Sequence, residues 1–246
     1  MGTTNPNPTP VIAARRMLSA VLCLALGCRV VTFLSGGKCG STALASFLKH
    51  QPPTYAQYDH DSPFEDTGKE LCGRNLICNR ASHILDACPR RITNQRARQT
   101  LATDRDAVGV LIVRDQASAL LSLYRDAASS GSVGGLSADQ WVLANMHSAQ
   151  YNFTDIFYDA VRWGFARIAV VASMDVRNRP GFAVNKIRTE AGLPTVPFIA
   201  HSSFNAPVPN NARYRNGELS YATRQRVEHH WHDTNLQLAI LTGVII

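Results

Sequence analysis

The 246-residue chain has no Cys-x-x-Cys pair, no Cys/His spacing of the zinc-site type and no internal repeat. A structural metal is therefore not expected, and no linker splits the chain. Charge is sparse at 17%, while hydrophobic residues reach 45%, so a sizeable core can form and wholesale disorder is excluded. With 16 Gly and 12 Pro, collagen-like and low-complexity architectures are excluded too. Six cysteines are too few for an all-disulfide scaffold at this length. Cys72, Cys78 and Cys88 cluster closely enough to hold one bridge in an oxidising compartment; buried free thiols are an equal reading.

An unbroken apolar run of about 20 residues, the length a comfortable membrane span needs, is also missing. The run Met17–Cys28 is shorter, follows Arg15-Arg16 and is closed by Arg29. It fits a signal-peptide core with Ala25-x-Gly27 as a small-residue cleavage pattern. Joined across Arg29 to Val30–Leu34 it reads instead as an imperfect anchor, and a helix packed on the domain is a third reading. Residues 1–29 are thus expected to be a signal peptide or short membrane anchor, and 30–246 the folded domain. In the secretory route the sequon Asn152-Phe153-Thr154 would be open to glycosylation.

What the chain does hold is an excess of cations. Lys plus Arg number 25 against 18 Asp plus Glu, a net charge of +7. That balance points to an anionic partner: a nucleotide, an acidic glycan, nucleic acid or a membrane surface.

From residue 30 onward, strands and helices alternate. Val30–Leu34 is a short apolar run of the kind a buried parallel strand shows, and it leads into Ser35-Gly36-Gly37-Lys38-Cys39-Gly40-Ser41-Thr42. Ala43–Leu48 then takes up helical apolar spacing. Ala107–Val113 is a second strong strand, followed by Arg114-Asp115 and a helix carrying Ala119, Leu120 and Leu123. A third, Ile168–Ala172, follows the helical stretch Tyr151–Phe165, and residues 50–106 read as polar loops with weak helical pattern. The alternation predicts an α/β fold, a P-loop-like parallel sheet flanked by helices.

A strand, a glycine-rich turn and a helix start together make an anion cradle, because unpaired amides and the positive end of the helix converge there. Gly36, Gly37 and Gly40 let the backbone approach an anion, Ser41 and Thr42 offer hydroxyls and amides, and Lys38 brings a mobile cation. The Walker spelling is absent: Lys38 precedes Gly40 and is followed by Cys39, which argues against an ATPase or GTPase.

The stretch Phe33–Leu44, with Leu48 and His50-Gln51-Pro52 beyond it, resembles the 5'-phosphosulfate loop of the sulfotransferases that use 3'-phosphoadenosine 5'-phosphosulfate (PAPS). A second element is similar to that family's 3'-phosphate motif: Arg114-Asp115 at a strand end, then Ser122-x-Tyr124 about two helical turns on, with Gln116 where the family usually has proline. Arg213 and Arg215 lie where related enzymes carry a basic loop over the nucleotide. Lys69-Glu70 resembles a pair seen in heparan-sulfate-type enzymes, and Gln150-Tyr151 and Trp231–Gly243 resemble the family's closing elements. A hydroxyl-bearing acceptor needs a base to take its proton.

The resemblance implies a sulfotransferase-like domain that uses PAPS as co-substrate, without a metal. It would move the sulfuryl group to a hydroxyl or amine, with a carbohydrate as the favoured acceptor. Donor-binding residues would be Gly37, Lys38, Cys39, Gly40, Ser41, Thr42, Arg114, Ser122, Arg213 and Arg215. Lys38 would stabilise the leaving oxygen and Glu70 would be the base, with His60 second and Glu65, Asp86 and His83 behind. Expected partners are an anionic glycan and, through the N-terminus, a membrane, with no nucleic acid. The Golgi lumen or membrane is the expected location, a cytoplasmic protein the alternative. A non-catalytic anion- or glycan-binding relative of the same fold and a P-loop-type nucleotide kinase are the competing functional readings.

Overall fold

The computed structural model describes residues 29–49, 55–58, 83–86, 107–165, 167–198 and 217–246. The bulk of the N-terminal segment, with Met17–Cys28, lies outside them, as do His60, Glu65, Glu70, Arg213 and Arg215. Among the described residues no helix is long and apolar enough to cross a membrane.

Five parallel strands form one sheet: β1 (Arg29–Phe33), β2 (Tyr55–Tyr58), β3 (His83–Asp86), β4 (Val108–Val113) and β5 (Arg167–Ala172), in the order β2-β3-β1-β4-β5. Helices flank it, giving the α/β fold that the alternation predicts. β4 is buried along its whole length, and Val31, Phe33, Ala169, Val170 and Val171 are buried beside it, so the central strands read as unbroken apolar runs. The expectation for residues 50–106 needs correction, because β2 and β3 both fall there. Each is four residues long, and its place is set by parallel pairing to a distant strand: Ile84 opposite Val30, and Ala56 opposite Ile84. That pairing leaves no local periodicity strong enough to read.

The strand order fixes where a ligand can sit. From β1 the chain goes to β2 and β3 on one side, then crosses back to β4 and β5 on the other. β1 and β4 are neighbours, with Val31 opposite Val108 and Phe33 opposite Val110. The loops leaving their carboxyl ends diverge, which opens a crevice at the topological switch point.

Local sequence explains the helices around that crevice. α1 (Ser41–Lys49) buries Leu44, Ala45, Phe47 and Leu48. α2 (Gln116–Ser129) is capped by Asp115, whose side chain accepts from the Ser118 amide at 2.7 Å. α3 (Ala138–Asn145) starts at a reciprocal Ser137/Gln140 capping box. A short 3₁₀ turn at Ala149–Tyr151 leads into α4 (Phe153–Arg162), whose N-cap is Asn152. The sequon is thus built into a helix start: Asn152 Nδ2 donates to Asp155 at 2.6 Å, and buried Thr154 donates to the Thr234 carbonyl at 2.5 Å. α5 (Ser173–Asn178), α6 (Pro180–Glu190) and the long α7 (Tyr221–Thr242) complete the helices among the described residues.

Gln116, which stands where the resembling family has proline, has a structural partner. It is buried at the first position of α2 and exchanges two hydrogen bonds with Asn235 of α7, at 2.8 and 3.0 Å. It also reaches the Tyr151 carbonyl at 3.4 Å. The amide pair ties α2, α7 and the 3₁₀ turn together. Gln116→Ala strands the Asn235 amide and is expected to cost about 1–2 kcal/mol. Thermal unfolding should then fall by several degrees; an unchanged midpoint would mean that the pair contributes nothing.

Candidate functional site

The loop between β1 and α1 is fixed by contacts to β4. Leu34 N donates to the Val110 carbonyl at 2.8 Å, continuing the strand pairing past β1. Ser35 is fully buried, and its hydroxyl oxygen accepts from the Ile112 amide. The chain then leaves the sheet and turns over its carboxyl edge. Gly36 is required by contact: a Cβ there would lie 2.7 Å from the Gln150 carbonyl oxygen. Gly40 is required by conformation, since its φ is +100° while space around it is open to the nearest atom, Ser173 Oγ, at 3.6 Å.

Lys38 also has positive φ, 66°, the one non-glycine residue with positive φ among those described. A side chain in this region costs about 1 kcal/mol, so contacts elsewhere must hold it. Two are visible. Arg114, at the end of β4, donates from Nη1 to the Lys38 carbonyl at 2.5 Å. The buried Tyr151 hydroxyl donates to the adjacent Gly37 carbonyl at 3.2 Å. The loop is therefore clamped from both sides before any ligand arrives, with Arg114 and Lys38 brought together.

Of the other residues singled out in the sequence, Ser41, Thr42, Ser122, Tyr124, Asp115, Asp86 and His83 lie among the described ones. Ser41 is buried and Thr42 exposed at the first turn of α1, where backbone amides have no intrahelical acceptor. Ser122 is half-buried on α2, about two turns beyond Arg114, and makes no side-chain hydrogen bond among the described residues. Tyr124, by contrast, is structural: it is buried, packs on Trp141 of α3 and donates to the Leu136 carbonyl at 3.2 Å. Asp115 caps α2 and pairs with Arg224 of α7 at 3.3 Å. On β3, Asp86 sits at the carboxyl end opposite Thr32 and so at the crevice edge of the sheet, whereas His83 pairs with Arg29 at the far end. His83 is therefore removed from the list of candidate bases; about 10 Å of strand separates it from that edge.

Cys39 is fully buried under the loop, and burial pushes its thiol up to about 12, with the Arg114 guanidinium pulling the other way. Its place in the loop is that of a neutral packing group; a thiolate nucleophile would need a lowered pKa. Burial likewise raises the Tyr151 hydroxyl, with Cys39 adding to the rise and Arg114 opposing it. Both groups hold their protons more tightly folded than unfolded. Their contribution to stability is whole below about pH 9 and is lost as pH rises through the folded Cys39 value near 12. Each pH unit in that window removes about 1.4 kcal/mol for Cys39. Native protein at pH 8 should leave the Cys39 peptide unalkylated by iodoacetamide, and denaturation midpoints should drop between pH 9 and 11. Rapid native labelling of Cys39 would overturn this assignment.

Three further contacts at the site have no local sequence signature. Asp126, one turn after Ser122, places Oδ2 3.0 Å from Lys38 Nζ. Tyr151 locks Gly37 from more than a hundred residues away. Arg125 donates twice to the Gly217 carbonyl, at 3.3 and 2.9 Å, and so ties the segment before α7 to α2. Among the described residues no group of three His, Cys, Asp or Glu side chains could hold a metal ion.

The arrangement brings a helix start, an ammonium and a guanidinium together at the switch point of a parallel sheet. No protein-family model matches the sequence, and no curated protein matches it. Among solved structures the chain is similar to a sulfotransferase from Alicyclobacillus acidocaldarius, with a TM-score of 0.65 and 12% sequence identity. The match covers 89% of this chain and 96% of that one, so the fold is sulfotransferase-like.

Proposed function

We propose that this protein is a sulfotransferase that takes the sulfuryl group from PAPS and transfers it to a hydroxyl or amine, with an acidic carbohydrate as acceptor. The observation that supports the reading is the contact between Arg114 and the Lys38 carbonyl, by which the loop after β1 and the end of β4 lie side by side. A nucleotide bearing phosphates at both its 3' and 5' positions is the ligand such a pair suits. The donor set fits it: first-turn amides of α1 and the Lys38 ammonium on one side, and the Arg114 guanidinium and the Ser122 hydroxyl on the other.

When bound, PAPS supplies an activated sulfuryl group with a phosphate as its leaving group. Lys38 and the amides of 39–42 stand where negative charge grows as that phosphate departs, and such groups accelerate the reaction when they bind the transition state more tightly than the ground state. Arg114 orients through its remaining donors, since one arm already holds the loop. The resemblance around Lys69-Glu70 nominates Glu70 as the base that accepts the acceptor's proton, with His60 as the alternative. The net charge of +7 favours an anionic acceptor.

Calorimetry with adenosine 3',5'-bisphosphate, followed by a sulfate-transfer assay from PAPS to a panel of glycans, tests the reading. Saturable binding with transfer is expected. Absence of heat and of thermal shift at millimolar bisphosphate would overturn it, and tight ATP binding in its place would point to the kinase.

A further inference from the structure

The partner of Lys38 in the structure is an acid. Its ammonium lies 3.0 Å from Asp126 Oδ2, with side chains 32% and 48% exposed. Asp126 follows Ser122 by one turn, so both occupy the same face of α2, the one that looks onto the loop. Asp115, at the opposite end of α2, is already engaged by Arg224 and by the Ser118 amide. Among the described residues Lys38 is the cation that Asp126 pairs with. A carboxylate in an anion site looks like a fault, because it repels what the site attracts. It ceases to be one if it serves as the lysine's stand-in ligand.

We infer that Asp126 is a resident competitor for Lys38, a carboxylate that any phosphate- or sulfate-type anion must displace before the ammonium can engage it. The inference rests on the reading of this loop as the donor site and assigns a residue that regulates it. Displacement exchanges one ion pair for another, so it weakens every anion by the same factor. The consequence differs between ligands. Inorganic phosphate and sulfate, which have only the loop and Lys38 to hold them, lose a large share of a weak grip. A nucleotide anchored also at Arg114 and Ser122 still binds. After transfer, Asp126 reclaims Lys38 and speeds departure of the product nucleotide. The pair also fixes the direction of the lysine side chain, which leaves a backbone with positive φ and spans from the loop to α2.

The test compares wild type with Asp126→Asn, which keeps the shape and removes the charge, and with Asp126→Ala in case the amide itself bonds to Lys38. Two readouts are needed. Acetylation of Lys38 by acetic anhydride, followed on its peptide by mass spectrometry without added anion, reports whether the ammonium is held. It should be several-fold faster in the variants. Calorimetry with inorganic pyrophosphate reports the competition, and binding should be about fivefold tighter in the variants, the scale of a half-exposed ion pair. Equal acetylation rates would mean that the pair is not formed in solution and would overturn the inference. So would equal or weaker pyrophosphate binding in the variants, or none in any of the proteins. If both changes occur while wild type fails to bind adenosine 3',5'-bisphosphate, the competitor role stands and the donor reading falls.

Discussion

Lys38→Met is expected to slow sulfuryl transfer by about 100- to 1000-fold, the usual cost of removing one preorganised stabiliser of developing charge. Its effect on bisphosphate affinity should stay within about tenfold. The asymmetry follows from where the charge changes. In the ground state the ammonium faces a phosphate already neutralised in part by the amides of α1. As the bond to sulfur breaks, the bridging oxygen gains charge that only a nearby cation can meet. Methionine suits the test because it is unbranched and no worse than lysine at a φ of 66°, so the loop, held by Arg114 and Tyr151, should keep its shape. The substitution also leaves Asp126 without its partner, and a free carboxylate would repel the ligand. The double variant Lys38→Met/Asp126→Asn should therefore recover affinity but not rate. Separate measurement of kcat and Kd decides the matter; a kcat within tenfold of wild type would remove Lys38 from the chemistry.

The parts of this site that could be read from sequence are those whose signal is local. β1, the glycine loop and α1 form one continuous stretch in which an apolar run, a turn and helical spacing follow directly, and Arg114 ends a strand of six buried residues. The sheet's other half was not legible, because Tyr55–Tyr58 and His83–Asp86 are too short and too polar to announce themselves and are ordered by β1 beside them. The same holds for the clamp. Nothing near Tyr151 says that its hydroxyl will reach Gly37, and nothing near Asp126 says that it will face Lys38; both contacts exist only once the sheet brings distant segments to one edge. Gln116 shows the converse case. Set against a family pattern it looks like a departure, and in the fold it is half of an amide pair that proline could not form. Substitutions that look like loss at the level of a motif can be repacking at the level of helices.

Arg114→Ala should act on binding where Lys38→Met acts on turnover. The guanidinium is half-buried at the end of β4 and offers five donors in a rigid fork, one of which goes to the Lys38 carbonyl. Truncation removes the phosphate contact proposed for the others and also unties the loop residue that carries positive φ. Losing one side of a desolvated, charge-assisted contact typically costs about 2–5 kcal/mol, so bisphosphate affinity should fall at least about 30-fold. Arg114→Lys restores charge without the fork, and a point charge on a flexible stem cannot serve carbonyl and phosphate at once; it should regain no more than about tenfold. The fold itself should tolerate both changes, because β4 is buried through Val113 and α2 keeps its Asp115 cap, so thermal midpoints should move by only a few degrees. That separation is what gives the experiment its force. If Arg114→Ala binds the bisphosphate within threefold of wild type, the phosphate grip lies elsewhere in the crevice, and Arg114 is left with the single role the structure already gives it, holding Lys38 in place.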